Sequence, residues 1–288
     1  MKLGLVGFGR MGAAMAQRLT DMGCSLSIWN RSPVRPEALP PGATIAQTLG
    51  DLVAASDVVL SCLFDEAAVR AVYLGKGGLA DHASSAKLFI DASTVPPAIA
   101  TDIAKAVAPV GGRFVDAPVL GTTAPARQGH LVALLGGERH DVEVAHDVMR
   151  FLASTVHVMG GTGAGYASKL AITLVKGSYW AALGECFVLA GRHGIAPGKV
   201  LDVIEGGPGA LTDLPIKLPV LRGTSTEVGF SIAGVAKDLR EMVVAGGGEE
   251  SMPVTAGALK HSLEAIDGGW AERDVAALAL FAAERVRG

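Results

Sequence analysis

The feature that most constrains this chain is Gly7-Phe-Gly-Arg-Met-Gly12, which directly follows an apolar run, Lys2–Val6, and opens a helical pattern, Met11–Met22. A tight turn at Gly7, close backbone approach to a ligand at Gly9 and packing of helix on strand at Gly12 each call for a residue without a side chain. Such a turn offers free amides and the positive end of a helix dipole, a combination suited to a pyrophosphate. With a second β-rich run at Ser25–Asn30, the segment predicts a dinucleotide site. Gly7, Phe8, Gly9, Arg10, Met11 and Gly12 are its candidate cofactor contacts.

The end of the second strand bears on which dinucleotide is bound. A site for NAD places Asp or Glu there to accept from the ribose hydroxyls. Here the segment reads Trp29-Asn30-Arg31-Ser32, with no carboxylate. Asn30 can still reach a ribose, and Arg31 and Ser32 can hold a 2′-phosphate, since a guanidinium fork matches phosphate oxygens. The expected cofactor is NADP(H).

Short β-rich runs then alternate with helical patterns: Thr44–Ala46, Asp57–Leu63, Lys87–Asp91, Arg113–Ala117, Leu131–Leu135 and Thr155–Val158, against helical spacing at Glu66–Val72, Pro97–Val107 and Asp141–Leu152. The strands are apolar on both faces, as in a parallel sheet covered by helices on both sides. After residue 160 a glycine-rich joint precedes one long helical pattern, Tyr166–Arg192, followed by patterns at Pro197–Glu205, Ile232–Ala245, Pro253–Asp267 and Ala271–Arg285. The predicted fold is α/β: a doubly wound Rossmann-type sheet domain over 1–161, then an all-α substrate and dimerisation domain over 162–288, with a long interdomain helix. That helix is apolar nearly all round, which implies burial on most sides, and a homodimer or homotetramer is the expected assembly.

Composition excludes other classes. The net charge of −3 and the absence of basic runs argue against nucleic acid. Mean hydropathy is +0.40, yet no stretch has the roughly 20 apolar residues of a membrane span. Cys24, Cys62 and Cys186 are scattered and form no metal-ligand pattern, so buried free thiols in a reducing cytoplasm and no metal are expected.

Four motifs in order resemble the β-hydroxyacid dehydrogenase family, which includes 3-hydroxyisobutyrate dehydrogenases, tartronate semialdehyde reductases and glyoxylate/succinic semialdehyde reductases. They are Gly4 to Ala16 around the glycine turn, Asp116-Ala-Pro-Val-Leu-Gly121 leading to Gly129-His-Leu131, Gly163-Ala-Gly-Tyr-Ala-Ser-Lys169, and Phe230 followed by Lys237-Asp-Leu239. The resemblance implies that Lys169 is the acid/base of a hydride transfer between the nicotinamide and a small aldehyde or oxo acid. An ammonium at hydrogen-bond distance polarises a carbonyl and supplies the proton its oxygen must gain. It further implies substrate contacts at Leu120, Gly121, Thr122, Thr173, Phe230 and Asp238, and cofactor contacts at Leu63, Thr94 and Lys237.

Two residues depart from the family pattern: Leu120 where Ser is usual and Thr173 where Asn is usual. Each removes hydrogen-bonding capacity, which favours a less polar or bulkier substrate. An imine reductase, and a non-catalytic NADPH-binding sensor or scaffold, are the alternatives to a carbonyl reductase; the retained Lys169 weighs against both.

Overall fold

The computed structural model describes residues 1–84, 87–207 and 209–284. The chain divides into two compact units, Met1–Lys169 and Leu170–Gly288.

The first unit runs β1 (Lys2–Val6), α1 (Arg10–Asp21), β2 (Ser25–Trp29), β3 (Thr44–Ile45), α2 (Leu49–Ala55), β4 (Val58–Ser61), α3 (Glu66–Leu74), β5 (Leu88–Asp91), α4 (Ala98–Val107), β6 (Arg113–Asp116), β7 (Val119–Leu120), α5 (Thr123–Gln128), β8 (Leu131–Gly137), α6 (Arg139–Met149) and β9 (Ala153–Gly160). The strands form one sheet in the order β3-β2-β1-β4-β5-β6-β8-β7, with β9 also on β8. From β3 to β6 every pairing is parallel. Period-2 alternation sends Leu5, Leu60 and Ile90 into one apolar cluster with Met15 and Leu19 of α1, and Val6, Val59 and Phe89 into another with Val69, Ile99 and Ile103. Burial on both faces is what the unbroken apolar strands predict.

The expectation of a parallel sheet fails beyond β6. There β8 runs antiparallel to β6 and to the two-residue β7, and parallel to β9. A strand buried along nearly its whole length, as β8 is, has the same apolar pattern in either direction, so periodicity does not reveal the reversal. Helix α2 also escaped the pattern, although Thr48 and Asp51 close a reciprocal capping box at its start.

The long helix α7 (Ala164–Arg192) begins in the first unit and continues into the second. Its 29 residues span about 43 Å at 1.5 Å per residue. The rest of the second unit holds α8 (Pro197–Glu205), α9 (Leu214–Leu221), α10 (Ile232–Ala245), α11 (Pro253–Asp267) and α12 (Ala277–Glu284). Its core gathers Trp180, Leu183 and Phe187 with Leu201, Leu214, Leu239 and Leu278. The last helix starts later than its pattern suggests. Ala271 and Arg273 give their carbonyls to Ala233 and Ile232, and Val275 donates to the Phe230 carbonyl, so this segment is tied to another before it can coil. The predicted end of that helix, Arg285, lies outside the described residues. Helix α9 has Pro215 near its start and Pro219 inside it, which hides it from a reading by propensity.

No helix among the described residues is long and apolar enough to cross a membrane. The three cysteines are free thiols, half-buried rather than buried.

Candidate active site

The glycine turn is built by contact between strands. Gly7 has φ of +96°, accessible at low cost only to glycine, and a Cβ there would overlap the Cys62 carbonyl at the end of β4. A Cβ on Gly12 would overlap the Gly7 carbonyl, so the third glycine lets α1 sit on the turn. Gly9 differs. A Cβ on it would meet nothing within 4 Å, so the protein leaves open the space in front of it. Gly9 caps α1 without a side-chain hydrogen bond, and the first turn holds no acidic residue. A helix start with no side-chain cap from Gly9, a positive dipole end and open space together fit a pyrophosphate.

Asn30 braces this turn. Its Oδ1 accepts from the Phe8 N–H at 2.9 Å and its Nδ2 donates to the Ser32 carbonyl at 2.9 Å. One amide proton and one lone pair remain for a ribose. Arg31 and Ser32 are exposed beside it. On the other side of β1, the Leu63 N–H donates to Ser93 Oγ at 2.8 Å, fixing the loop after β4 to the loop that carries Thr94 after β5. The candidate cofactor residues of the first unit therefore line the carboxyl ends of β2, β1, β4 and β5, where the strand order reverses about β1. Open α/β sheets bind their ligands at such a point.

The next strand along supplies a second group. Asp116, at the end of β6, is fully buried and accepts from the Gly163 N–H at 2.7 Å and the Tyr166 N–H at 2.9 Å. Burial pushes its carboxyl up to about 6, against hydrogen bonds that hold it down. Lys169, one turn further along α7, is 9% exposed and donates from Nζ to the Val119 carbonyl at 2.8 Å. The ammonium is thus bound immediately before Leu120, Gly121 and Thr122. Gly121 has φ of +126° and a Cβ there would press on Leu131, so the turn depends on glycine. Thr122 is the N-cap of α5, with its carbonyl accepting from Ala126.

The remaining candidates lie in the second unit. Phe230 packs on Gly234, where a Cβ would come within 2.6 Å of its ring. Its backbone is pinned by Asp274, which accepts from Gly229 at 2.9 Å and forms a buried ion pair with Lys217 at 2.6 Å. Lys237 Nζ pairs with Asp238 Oδ1 at 2.9 Å on α10. Thr173 is half-buried on α7.

The sequence assigned no role to Tyr166. Its phenol is fully buried and donates to Asp91 Oδ2 at 2.6 Å, while Asp91 also accepts from Ser61 and from Ser93. Asp91 and Asp116 are register partners on adjacent strands. Two carboxylates closing neighbouring apolar strands were the available signal, because buried acids need donors. Among the described residues no group of three potential ligands is placed to hold a metal ion.

Residues 2–161 match the family profile of the NAD binding domain of 6-phosphogluconate dehydrogenase, and residues 163–281 that of NAD-binding of NADP-dependent 3-hydroxyisobutyrate dehydrogenase. Glyoxylate/succinic semialdehyde reductase 1 of Arabidopsis thaliana is 30% identical over 281 residues, spanning 96% of this chain and 97% of its own. The chain belongs to the β-hydroxyacid dehydrogenase family. As a member of that family it is an NAD(P)-dependent oxidoreductase. An oxidoreductase of Synechocystis sp. is 33% identical over 242 residues, 83% of each chain. The structure of Mycobacterium tuberculosis 3-hydroxyisobutyrate dehydrogenase with L-serine superposes with a TM-score of 0.84 at 27% identity, covering 97% of this chain and 98% of that one.

Proposed function

We propose that this β-hydroxyacid dehydrogenase relative interconverts a small aldehyde or oxo acid and its alcohol with NADP(H), and that Lys169 is the general acid/base. The observation that carries the reading is the buried Lys169 ammonium, bound to the Val119 carbonyl at 2.8 Å beside the Leu120–Thr122 turn. In the reductive direction Lys169 donates its proton to the oxygen of the substrate carbonyl; in the oxidative direction it takes that proton back. NADPH, when bound, supplies the hydride. The turn 7–12 would hold its pyrophosphate, Asn30 its ribose, and Arg31 with Ser32 its 2′-phosphate, with Leu63, Thr94 and Lys237 as further contacts. Amides at Gly121 and Thr122 would receive a substrate carboxylate, with Leu120, Thr173, Phe230 and Asp238 completing the substrate's surroundings. The domain limits that go with this reading are 1–161 for the cofactor and 162–288 for substrate and dimerisation.

The printed name of the Arabidopsis relative makes glyoxylate and succinic semialdehyde the first substrates to try. Leu120 and Thr173 in place of polar residues favour less polar carbonyls. A cytoplasmic homodimer or homotetramer accompanies the proposal, supported by exposed Ile172 and Val175 one turn apart on α7; monomer alone by size-exclusion chromatography would remove that part. The decisive test is Lys169→Met, which should lower kcat at least ~100-fold while NADPH fluorescence titration still reports binding. Retention of more than about a tenth of kcat counts against the role of Lys169. Turnover of cyclic imines with no carbonyl activity would replace the substrate class.

A further inference from the structure

Asp116 is an unexpected residue to bury. It closes an apolar strand, lies beside a second buried carboxylate, Asp91, and has no cationic partner among its hydrogen bonds. The backbone is fitted closely around it. A Cβ on Gly136 or on Gly165 would fall within 2.8 Å of its carboxylate oxygens, so the carboxylate has little room to turn. What it holds is the first turn of α7, through the amides of Gly163 and Tyr166, with Gly165 also donating. Three residues beyond Tyr166 comes Lys169. From Asp116 the chain itself runs through Pro118, whose carbonyl accepts from Leu134 at 3.0 Å, to Val119, whose carbonyl accepts from Lys169. One residue therefore holds the start of the helix that carries the ammonium, and stands three positions before the carbonyl that receives it.

We propose that Asp116 is a positioning residue for the reaction: by holding the first turn of α7 it sets the register of Lys169 against the Val119 carbonyl, and it takes no proton from the substrate. This rests on the reading of Lys169 as general acid/base.

The electrostatics agree with a geometric role rather than a stabilising one. The titratable groups packed near Asp116 are Asp91, its register partner on β5, and Tyr166 on α7, with Tyr73 on α3 beyond them; β8 faces it with Gly136. Its folded pKa of about 6 lies above the ordinary 3.8. A raised acid gives its full stabilisation only below the ordinary value and loses it as pH rises through the folded value. At neutral pH the ionised carboxylate therefore costs stability, while holding the amides more strongly than a neutral acid would.

The test pairs Asp116→Asn with Asp116→Ala, using Lys169→Met as the control. Asn keeps one acceptor and turns an NH2 toward the second amide. We expect kcat to fall roughly 10- to 100-fold in Asp116→Asn, in line with the cost of a small misplacement, and further in Asp116→Ala. The KM for NADPH should stay within about two-fold; the Tm at pH 8 should fall, less in Asp116→Asn than in Asp116→Ala, because buried amides lose their acceptor, so kcat is read well below the Tm of each variant. Hydrogen exchange at the amides of Gly163, Gly165 and Tyr166 should quicken in Asp116→Asn and not in Lys169→Met. Wild-type kcat should decline below about pH 6, and that limb should be absent from Asp116→Asn. The inference is overturned if Lys169→Met is inactive while Asp116→Asn keeps wild-type kcat and its acid limb. A loss of kcat that merely follows the fraction unfolded overturns it too, as does a wild-type profile with no acid limb, which needs no variant to fold. An active Lys169→Met instead removes the reading on which the proposal stands.

Discussion

The phenol of Tyr166 donates to Asp91 at 2.6 Å, with both side chains fully buried. This bond joins the first turn of α7 to the end of β5, across 75 residues of chain. Tyr166→Phe keeps the ring and the backbone amide on Asp116 but leaves Asp91 one donor short. An unsatisfied buried acceptor costs about 1–3 kcal/mol, so urea unfolding should show a loss in that range. Because the Tyr166 bond helps hold down an acid that burial has already raised, the Asp91 carboxyl should move further up in the variant. An unchanged midpoint would mean that the bond contributes nothing net.

Gly9 and Gly12 separate fold from ligand. Ala at position 12 collides with the Gly7 carbonyl, and relieving such a clash costs roughly 1–3 kcal/mol; both Tm and NADPH affinity should fall. Ala at position 9 has open space and a backbone, φ −75° and ψ −168°, that any residue adopts. Gly9→Ala should therefore unfold within about 0.5 kcal/mol of wild type yet bind NADPH at least ~10-fold more weakly, a difference of ~1.4 kcal/mol. Wild-type affinity in Gly9→Ala would show that the space is not reserved for the cofactor.

Arg31 is exposed and makes no ion pair among the described residues. Its proposed partner is a 2′-phosphate that NADH lacks. Removing a charge-assisted bond of about 1.5–3 kcal/mol corresponds to roughly a 10- to 100-fold rise in the KM for NADPH in Arg31→Ala, with that for NADH little changed. Equal effects on both coenzymes would assign the discrimination elsewhere.

In the second unit the Lys217–Asp274 pair is buried at 2.6 Å, and Asp274 also accepts from Gly229 and Ala276. Lys217→Met leaves an uncompensated buried carboxylate, which costs about 3–5 kcal/mol. Thermal unfolding should show the loss, and it should shrink in the double variant with Asp274→Asn. Additive losses would mean the two charges do not interact.

Much of this was legible in the sequence, for reasons that differ by element. Strands β1, β4, β5 and β6 announce themselves because a sheet covered on both sides needs apolar runs. The 7–12 turn is legible because positions 7 and 12 leave no room for a side chain and the glycines sit between a strand and a helix. The reversal at β8 is not, since direction leaves no mark on a buried strand, and β7 is two residues long. The helix at Leu214–Leu221 is disguised by its prolines, and residues 271–275 look helical until their backbone partners at 230–233 are known. At the candidate site, a motif singles out Lys169, which the structure buries against the Val119 carbonyl. The partnership of Asp116 with Tyr166 was not legible, because those groups are 50 residues apart and no local pattern links them.

The acceptor that receives the Lys169 ammonium is a peptide oxygen, not a side chain. Every amino acid at position 119 carries that oxygen, so drift in side-chain identity there leaves the docking point intact. Its neighbour at position 120 is equally at liberty to change without disturbing it. Under the proposed function, a scaffold arranged this way can diversify what it recognises through successive replacements at one position, while the lysine arm remains moored throughout.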